Sequence, residues 1–197
     1  KNNSPRWKGT IFKWLFQSDK LQIGKNFRCD TFPDINLTQN GKIKIGDDVL
    51  LRRKVELRAH QEASISIGNK VRIDRGVRIL GANKAKIVLN SGVRIGLYSV
   101  LNGGDSIAIG KNTLISGFVY LQTSMHRFAT KEKIQDQGFD HAPVRLADDV
   151  WLGAHVVVMP GVSIENGSIV GSNAVVTQSV AAYKVVGGVP AKELKDR

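Results

Sequence analysis

A polar segment in the second half of the chain contains the side chain best suited to moving a proton. His126 follows Thr123, Ser124 and Met125 at the start of a charged stretch, residues 122–143. Histidine commonly removes a proton from a hydroxyl near neutral pH, and long loops on rigid scaffolds often carry function. A lone loop histidine is also often just solvated. Residue type alone therefore leaves both interpretations open.

Three further residues could contribute to a site near this loop. Asn102 and Asp105 lie in the segment IGLYSVLNGGD, where Asn, Gly and Asp also serve as ordinary turn residues. Trp151 follows Val150, which already takes an inward position of the pattern described below. We therefore predict that Trp151 points outward, and large outward aromatic side chains are uncommon without a partner.

The composition limits the class of protein. The 197 residues suffice for one substantial core and do not require two domains. The net charge of +12 favours an anionic partner, such as nucleic acid, an anionic membrane, a phosphorylated cofactor or an acidic polymer, or it reflects a solvated basic surface. No nucleic-acid-binding motif accompanies the charge. Cys29 is the only cysteine, which excludes an intramolecular disulfide and fits a cytoplasmic protein.

A six-residue repeat must position these side chains. Ile-Gly steps at Ile23, Ile45 and Ile67 lie 22 residues apart, and from Leu152 to Val176 an aliphatic residue falls at every sixth position. Neither a helix nor a simple strand has this period. Short strands joined by corners would form triangular coils with aliphatic ladders inside. The glycines and asparagines after each aliphatic residue fit corners, where a positive φ costs little. The sequence predicts an all-β parallel β-helix over residues 21–197.

Two segments interrupt this repeat. Residues 1–20 place Trp7, Ile11, Trp14 and Leu15 at helical spacing among lysines. This segment is predicted to cap the open first coil, and the alternative is an amphipathic helix that contacts an anionic membrane through residues 5–16. The second interruption is the excursion loop 122–143, which carries His126.

The repeat pattern resembles the hexapeptide-repeat acyltransferase superfamily, of the sugar or polysaccharide O-acetyltransferase type. The stretches LISGFVYLQTSMH and PVRLADDVWLGAHVVVMPGVSI carry the resemblance, which extends from about Ile23 to the C-terminus. It implies a left-handed β-helix, although parallel crossovers are right-handed in about 98% of sheets. It also implies acetyl-coenzyme A as co-substrate, no metal, and a homotrimer with a cleft between adjacent subunits.

Roles for individual residues follow from this resemblance. His126 would be the general base, Asn102 a second active-site residue, and the backbone N–H of Ala154 a donor to the oxyanion, unless it is an ordinary paired corner amide. The acceptor site would be lined by Trp151, Asp105 and Met125. The tail GGVPAKELKDR resembles the segment that binds coenzyme A in the family. The cofactor-binding residues would be Gly153, Ala154, Gly171, Ser172, Thr177, Pro190, Lys192 and Lys195.

The resemblance thus implies an acetyl-coenzyme A-dependent sugar O-acetyltransferase. Gln137-Gly138-Phe139 looks more like the polysaccharide-modifying members, which favours a capsule, O-antigen or exopolysaccharide acceptor. The alternatives are an N-acetyltransferase of a nucleotide-linked amino sugar and a non-catalytic scaffold. The spacing of His126, His141 and His155 does not resemble the three-histidine zinc site of carbonic anhydrases that share this fold, so no metal is expected.

Overall fold

The computed structural model describes residues 4–197, a three-sided coil of short strands preceded by one helix. Residues 1–3 of the N-terminal segment lie outside the described residues. The elements are α1 (Ser4–Phe16), β1 (Leu21–Ile23), β2 (Arg28–Cys29), β3 (Asp34–Leu37), β4 (Lys42–Ile45), β5 (Leu50–Leu51), β6 (Glu56–Ala59), β7 (Ser64–Ile67), β8 (Arg72–Ile73), β9 (Arg78–Gly81), β10 (Lys86–Leu89), β11 (Arg94–Ile95), β12 (Val100–Gly103), β13 (Ile107–Ile109), β14 (Leu114–Ile115), β15 (Tyr120–Gln122), β16 (Ser124–His126), β17 (Phe139–His141), β18 (Val144–Leu146), β19 (Trp151–Leu152), β20 (Val157–Val158), β21 (Ser163–Ile164), β22 (Ile169–Val170), β23 (Val175–Val176), β24 (Lys184–Gly187) and β25 (Lys192–Asp196).

Three sheets form the sides of the coil, and each successive strand pairs with the strand one coil earlier. Side A runs β1-β4-β7-β10-β13-β18-β21, side B runs β2-β5-β8-β11-β14-β19-β22-β24-β25, and side C runs β3-β6-β9-β12-β15-β20-β23. The pairing is parallel except in two hairpins, β16–β17 and β24–β25. The predicted parallel β-helix is therefore confirmed.

The core consists of aliphatic ladders, in which each inward position of a side is repeated one coil later. On side A, Ile43, Ile65 and Ile87 stack in register and are at most 1% exposed. On side B, Cys29 occupies the aliphatic position beside Leu51 and is fully buried. Burial raises the pKa of the Cys29 thiol to about 11, as expected for a thiolate that would lose its solvation.

Cys29 is expected to resist Ellman's reagent at pH 8 while the chain is folded. The thiolate is the reactive form, and burial both covers the sulfur and raises the pKa of this thiol to about 11. The coloured thiolate released from the reagent should therefore appear only when urea unfolds the chain. A Cys29→Ser variant gives the background signal. Rapid release in native buffer would contradict this packing.

The glycines at the corners of the coil have a different role from the one expected from the sequence. Positive φ occurs two residues after the Ile-Gly steps, at Asn26 (53°) and Asp48 (58°), and the glycines of these steps do not share it. That expectation was wrong for Gly24 and Gly46. A Cβ on Gly24 would lie 2.5 Å from the backbone carbonyl carbon and oxygen of Gly46 in the next coil. These glycines are needed because stacked corners approach too closely for a side chain.

Helix α1 lies on the first coil, but it packs through a face other than the one its apolar spacing suggested. Phe12 is 2% exposed, and its ring lies 4.8 Å from Phe16, 5.3 Å from Phe32 and 5.9 Å from Phe27, measured between centroids. Trp14, which the spacing singled out, is 82% exposed. Within residues 4–197, no helix is long and apolar enough to cross a membrane.

Candidate active site

The excursion loop leaves the coil at the corner between sides C and A and returns as a two-stranded antiparallel hairpin. β16 and β17 pair Ser124 with His141 and His126 with Phe139. A short 3-10 turn, Ile134–Asp136, lies in the tip between them. The hairpin thus carries His126 away from the repeat on a regular element rather than on a free loop.

Thr123 fixes the base of this hairpin to the preceding coil. Its hydroxyl donates to the carbonyl oxygen of Asn102 (2.8 Å) and accepts from the backbone N–H of Asp105 (3.0 Å). Its own carbonyl oxygen accepts from the N–H of Ala142 (3.0 Å). Thr123 is fully buried, so these bonds are shielded from water. They hold the two strands of the hairpin beside the segment that contains Asn102.

One face of the hairpin collects two histidines. Alternate residues of a strand share a face, so the register places Ser124, His126, Phe139 and His141 together. The His126 and Phe139 ring centroids lie 4.1 Å apart. The Ser124 hydroxyl and His141 Nδ1 are 2.8 Å apart and form a hydrogen bond. Sequence reasoning did not identify the contact between Ser124 and His141, because it depends on the register of the hairpin.

Two cavities lie beside the hairpin, and His141 lines both. The larger, about 650 Å³, lies under the tip and is lined by Met125, His126, Phe128, Asp136, His141 and Pro160 among others. The smaller, about 390 Å³, forms a trough down side C and the corner, lined by Arg58, His60, Leu80, Asn102, Phe139 and His141 among others. Both volumes suit a small ligand. The histidine-bearing hairpin therefore stands between two spaces that could hold reactants.

Asn102 and Asp105 have different surroundings. Asn102 is half-buried in the trough, and its Nδ2 donates to the hydroxyl of Tyr120 (2.9 Å). The Asp105 carboxylate accepts from the N–H of Ser106 (2.6 Å), which is a common turn contact. Asp105 lines neither cavity. The structure brings Asn102 to the hairpin and gives the side chain of Asp105 a local contact in its turn.

Polar groups in the trough lack partners within the described chain. Arg58 Nε and His60 Nε2 are buried and form no hydrogen bond there. The other end of the Arg58 guanidinium is held by Glu56, which also accepts from Arg78. The hydrogen bond from Arg78 lowers the pKa of Glu56, and Arg58 adds to this effect. The trough thus contains a cationic side chain with an unused donor, oriented by a carboxylate.

Trp151 lies on side B and points outward, as predicted. It is 48% exposed, and its Nε1 is 3.3 Å from the hydroxyl of Ser116. It lines a separate cavity of about 360 Å³ that contains neither His126 nor Asn102. In a single chain, Trp151 and His126 therefore do not meet.

Ala154 lies at the corner between sides B and C, one residue before a ladder of exposed rings. Its carbonyl oxygen accepts from the N–H of Asn173 (2.9 Å), while its own N–H donates no hydrogen bond within residues 4–197. The next residue, His155, stacks on Phe118 at 4.8 Å, and Phe118 stacks on Tyr98 at 5.6 Å. The amide of Ala154 is thus an available donor beside an aromatic surface, and this surface was not anticipated from the sequence.

The C-terminal hairpin extends side B next to this corner. β24 and β25 pair after β22, and the N–H of Ala191 donates to the carbonyl oxygen of Val175 (2.8 Å), so the turn containing Pro190 lies beside side C. Lys195 stands in the same cross-strand row as Trp151. In the described chain, Glu193 and Asp196 pair with Lys184, which leaves Lys192 and Lys195 without an ion-pair partner.

The remaining cofactor-site candidates fall in two places. Gly153 packs against Ser172, because a Cβ on Gly153 would lie 2.6 Å from the Ser172 backbone nitrogen. Gly171 lies 3.4 Å, measured from its ideal Cβ position, from the carbonyl oxygen of Val186. Thr177 follows β23 on side C and lies at the corner between sides C and A. The glycines and Ser172 therefore share a corner with Ala154, and Thr177 does not.

The described residues contain no group of three or more His, Cys, Asp or Glu side chains placed to share a metal ion. His126 lies against the ring of Phe139, and His141 Nδ1 forms its hydrogen bond with the Ser124 hydroxyl. This donor set suits hydrogen bonding and proton transfer better than metal ligation.

Comparison with known sequences gives partial matches. Residues 143–178 match the bacterial transferase hexapeptide family (six repeats). A Mycobacterium tuberculosis protein named as a probable acetyltransferase is 36% identical over 104 residues, which cover 52% of this chain and 35% of the relative. The galactoside O-acetyltransferase of Escherichia coli is 30% identical over 92 residues, which cover 46% of this chain and 44% of the enzyme. The chain spans less than half the length of these relatives.

A solved structure matches more of the chain. An N-acyltransferase from Bacillus cereus, in complex with dTDP-4-amino-4,6-dideoxyglucose and coenzyme A, superposes with a TM-score of 0.64 and 26% identity, covering 78% of this chain and 82% of that one. The structural neighbours of this chain are left-handed β-helix acyltransferases. The predicted fold and the resemblance to the hexapeptide-repeat acyltransferase superfamily are both confirmed.

Proposed function

We propose that this hexapeptide-repeat chain is an acetyl-coenzyme A-dependent O-acetyltransferase that acts on a sugar hydroxyl in a capsule, O-antigen or exopolysaccharide unit. The observation that carries the proposal is the hairpin face with His126, held between two ligand-sized cavities, one of which contains Asn102. The named relatives are acetyltransferases. We place the enzyme in the cytoplasm, where acetyl-coenzyme A is available.

The proposed reaction is a direct transfer. A ring nitrogen of His126 accepts the proton of the acceptor hydroxyl, whose oxygen attacks the thioester carbonyl carbon. The oxyanion that forms needs a fixed donor, and the unused N–H of Ala154 is the candidate. The tetrahedral intermediate then breaks its carbon–sulfur bond, and the coenzyme A thiol leaves with the proton from His126. No acyl group is attached to the protein at any step.

A complete site of this kind needs two chains. His126 lies on the hairpin between sides C and A, whereas Trp151 lies on side B and Ala154 on the corner between sides B and C. A cleft formed by the hairpin of one chain and side B of a second chain would bring these residues together. We therefore propose a homotrimer with one cleft at each contact between adjacent subunits, in which Trp151 walls the acceptor site and Met125 lines it beside His126.

Coenzyme A would lie along the corner between sides B and C. Gly153, Gly171 and Ser172 keep this corner narrow, and the unpaired Lys192 and Lys195 supply positive charge near the tail turn. Coenzyme A carries phosphate groups that such lysines attract as point charges. Pro190 is a proposed contact at the tail turn, and Thr177 is a proposed contact at the neighbouring corner between sides C and A.

The trough on side C is proposed to hold part of the acceptor sugar, which extends past the hairpin to Met125 and His126 in the larger cavity. Phe139 offers an aromatic surface, Asn102 offers an amide, and Arg58 offers an unused guanidinium donor. These groups suit a saccharide that carries hydroxyls and a carboxylate. An acidic glycan would also complement the net charge of +12. Asp105 remains a weaker proposed contact because its carboxylate already serves a turn.

Substitution of Arg58 tests this acceptor assignment. Arg58→Gln is expected to raise KM for a uronic or sialic acid acceptor by roughly 10- to 100-fold, because a hydrogen bond to a charged group contributes about 1.5–3 kcal/mol. kcat should change little, since Arg58 lies in the trough, which His126 does not line. KM for a neutral sugar is the internal control. An equal rise for neutral and acidic acceptors would contradict the assignment.

The activity itself is tested by thiol release from acetyl-coenzyme A against a panel of mono- and polysaccharides. Release with hydroxyl acceptors and not with amino sugars supports the proposal. The second candidate, N-acetylation of a nucleotide-linked amino sugar, is favoured by the nucleotide-sugar complex of the structural relative, and it predicts the reverse preference. No release with any acceptor, from a folded chain, would favour a non-catalytic scaffold.

A further inference from the structure

Helix α1 has apolar side chains on two opposite faces. Phe12 and Gly9 fix one face to the first coil, since a Cβ on Gly9 would lie 2.1 Å from the carbonyl oxygen of Phe27. With 3.6 residues per turn, Trp7 and Trp14 lie nearly above each other on the face turned away from Phe12. Their side chains are 55% and 82% exposed.

This outward face is unusual for a helix on a water-exposed surface. Such helices normally turn polar residues to solvent, yet Ile11 and Leu15 accompany the two tryptophans here and are also exposed. Contiguous exposed apolar patches mark interaction sites. The face of Trp7, Ile11, Trp14 and Leu15 is called the outer face below.

The charge around the outer face indicates which partner covers it. Residues 1–28 contain seven Lys or Arg residues and one Asp, a net charge of +6 out of +12 for the whole chain. α1 itself has three basic residues, Arg6, Lys8 and Lys13, and no acidic one. Lys8 and Lys13 donate to the carbonyl oxygens of Asp30 (2.9 Å) and Gly24 (3.1 Å), which places them at the borders of the packed face. A second copy of this end would meet it with like charge.

We propose that α1 lies in the headgroup region of an anionic lipid bilayer, with the outer face inserted. Tryptophan favours the boundary between headgroups and acyl chains, and basic residues beside it attract anionic lipid. The helix has 13 residues and lies flat rather than crossing the bilayer. This proposal does not depend on the enzymatic activity.

Docking of α1 on a membrane would fix the distance between the membrane surface and the candidate site. Side C places Asn102 on β12, three strands beyond β3 of the first coil, a rise of roughly 14 Å at the usual strand spacing. The stacked coils are rigid, so the hairpin with His126 would be held at a fixed height above the membrane surface. This height suits an acceptor that is attached to a lipid.

Vesicle binding tests the proposal directly. The full chain with Trp151→Phe, in which only Trp7 and Trp14 emit, is mixed with vesicles of phosphatidylcholine and phosphatidylglycerol (7:3) and with vesicles of phosphatidylcholine alone. We expect a blue shift of tryptophan emission and flotation with the anionic vesicles, and at least tenfold weaker binding to the neutral ones. Failure of this chain to bind the anionic vesicles would overturn the proposal.

A paired substitution separates the outer face from general basicity. Trp7→Ala with Trp14→Ala should lower vesicle binding, measured by flotation, at least tenfold while the melting curve stays close to that of the parent, because both side chains are more than half exposed. Tyr98→Ala with Phe118→Ala removes two rings that are each 46% exposed elsewhere, and this control should bind vesicles normally. Equal binding by both double variants would overturn the proposal. So would self-association through the outer face without vesicle binding.

Discussion

His126→Ala is expected to lower kcat for acetyl transfer by about 10²–10⁴-fold, the range typical of a lost general base. The ring of His126 is held against Phe139 on the hairpin face and lines the larger cavity. KM for acetyl-coenzyme A should change little, because the proposed cofactor groove lies at a different corner. The measurement is thiol release under saturating donor, with the folded state checked by circular dichroism.

Three companion variants make this result specific to His126. Lys131→Ala changes an exposed residue of the same loop and should leave kcat near the parent value. Ser124→Ala removes the hydroxyl that contacts His141 and should cost only a few-fold, since no acyl-serine forms. An acyl group trapped on Ser124, or a larger loss of kcat in His141→Ala than in His126→Ala, would contradict the assignment of His126 as the base.

Leu101→Ala is expected to lower the free energy of unfolding by about 2–5 kcal/mol, the usual range for a Leu removed from a packed core. Leu101 is fully buried in the ladder of side C and stacks between Ile79 and Leu121. Rigid coils on both sides cannot collapse into the space, so the cavity should remain. The midpoint of urea unfolding measures the effect.

Leu114→Ala is the matched control for this core substitution. Leu114 is also a leucine on a strand of the β-helix, but its side chain is 45% exposed. Its loss should change the free energy of unfolding by less than about 1 kcal/mol. Similar shifts for Leu101→Ala and Leu114→Ala would show that the aliphatic ladders are not the main source of stability.

The repeated features of the fold could be predicted because each repeat reports the same local environment. The six-residue period indicated inward ladders, so Trp151 was expected to point outward, and its 48% exposure agrees with this prediction. The corners were only partly predictable. The glycines of the Ile-Gly steps serve close approach between coils, and the residues with positive φ, such as Asp48, follow them.

Features outside the repeat could not be derived in this way. The register of the β16–β17 hairpin brings Ser124 to His141, and no periodicity fixes that register. The packed face of α1 is set by Phe12 and the aromatic cluster of the first coil, whereas the helical spacing drew attention to the tryptophans. The trough depends on Arg58 and Asn102, which are distant in sequence and lie in one row of side C.

The proposed site also joins parts that a single chain keeps separate. The hairpin with His126 and the outward Trp151 lie on different sides of the coil. The assignment of both residues to one reaction therefore requires that two chains associate so that His126 of one lies near Trp151 of the other.

A crystal structure of the protein with coenzyme A tests this account most directly. It should show a trimer with coenzyme A along the corner between sides B and C of one subunit, its thiol beside His126 of the neighbouring subunit and close to Trp151. Coenzyme A bound away from every His126, or a chain whose hairpin faces only solvent in the assembly, would contradict the transferase mechanism. Only the assignment of the β-helix fold would then stand.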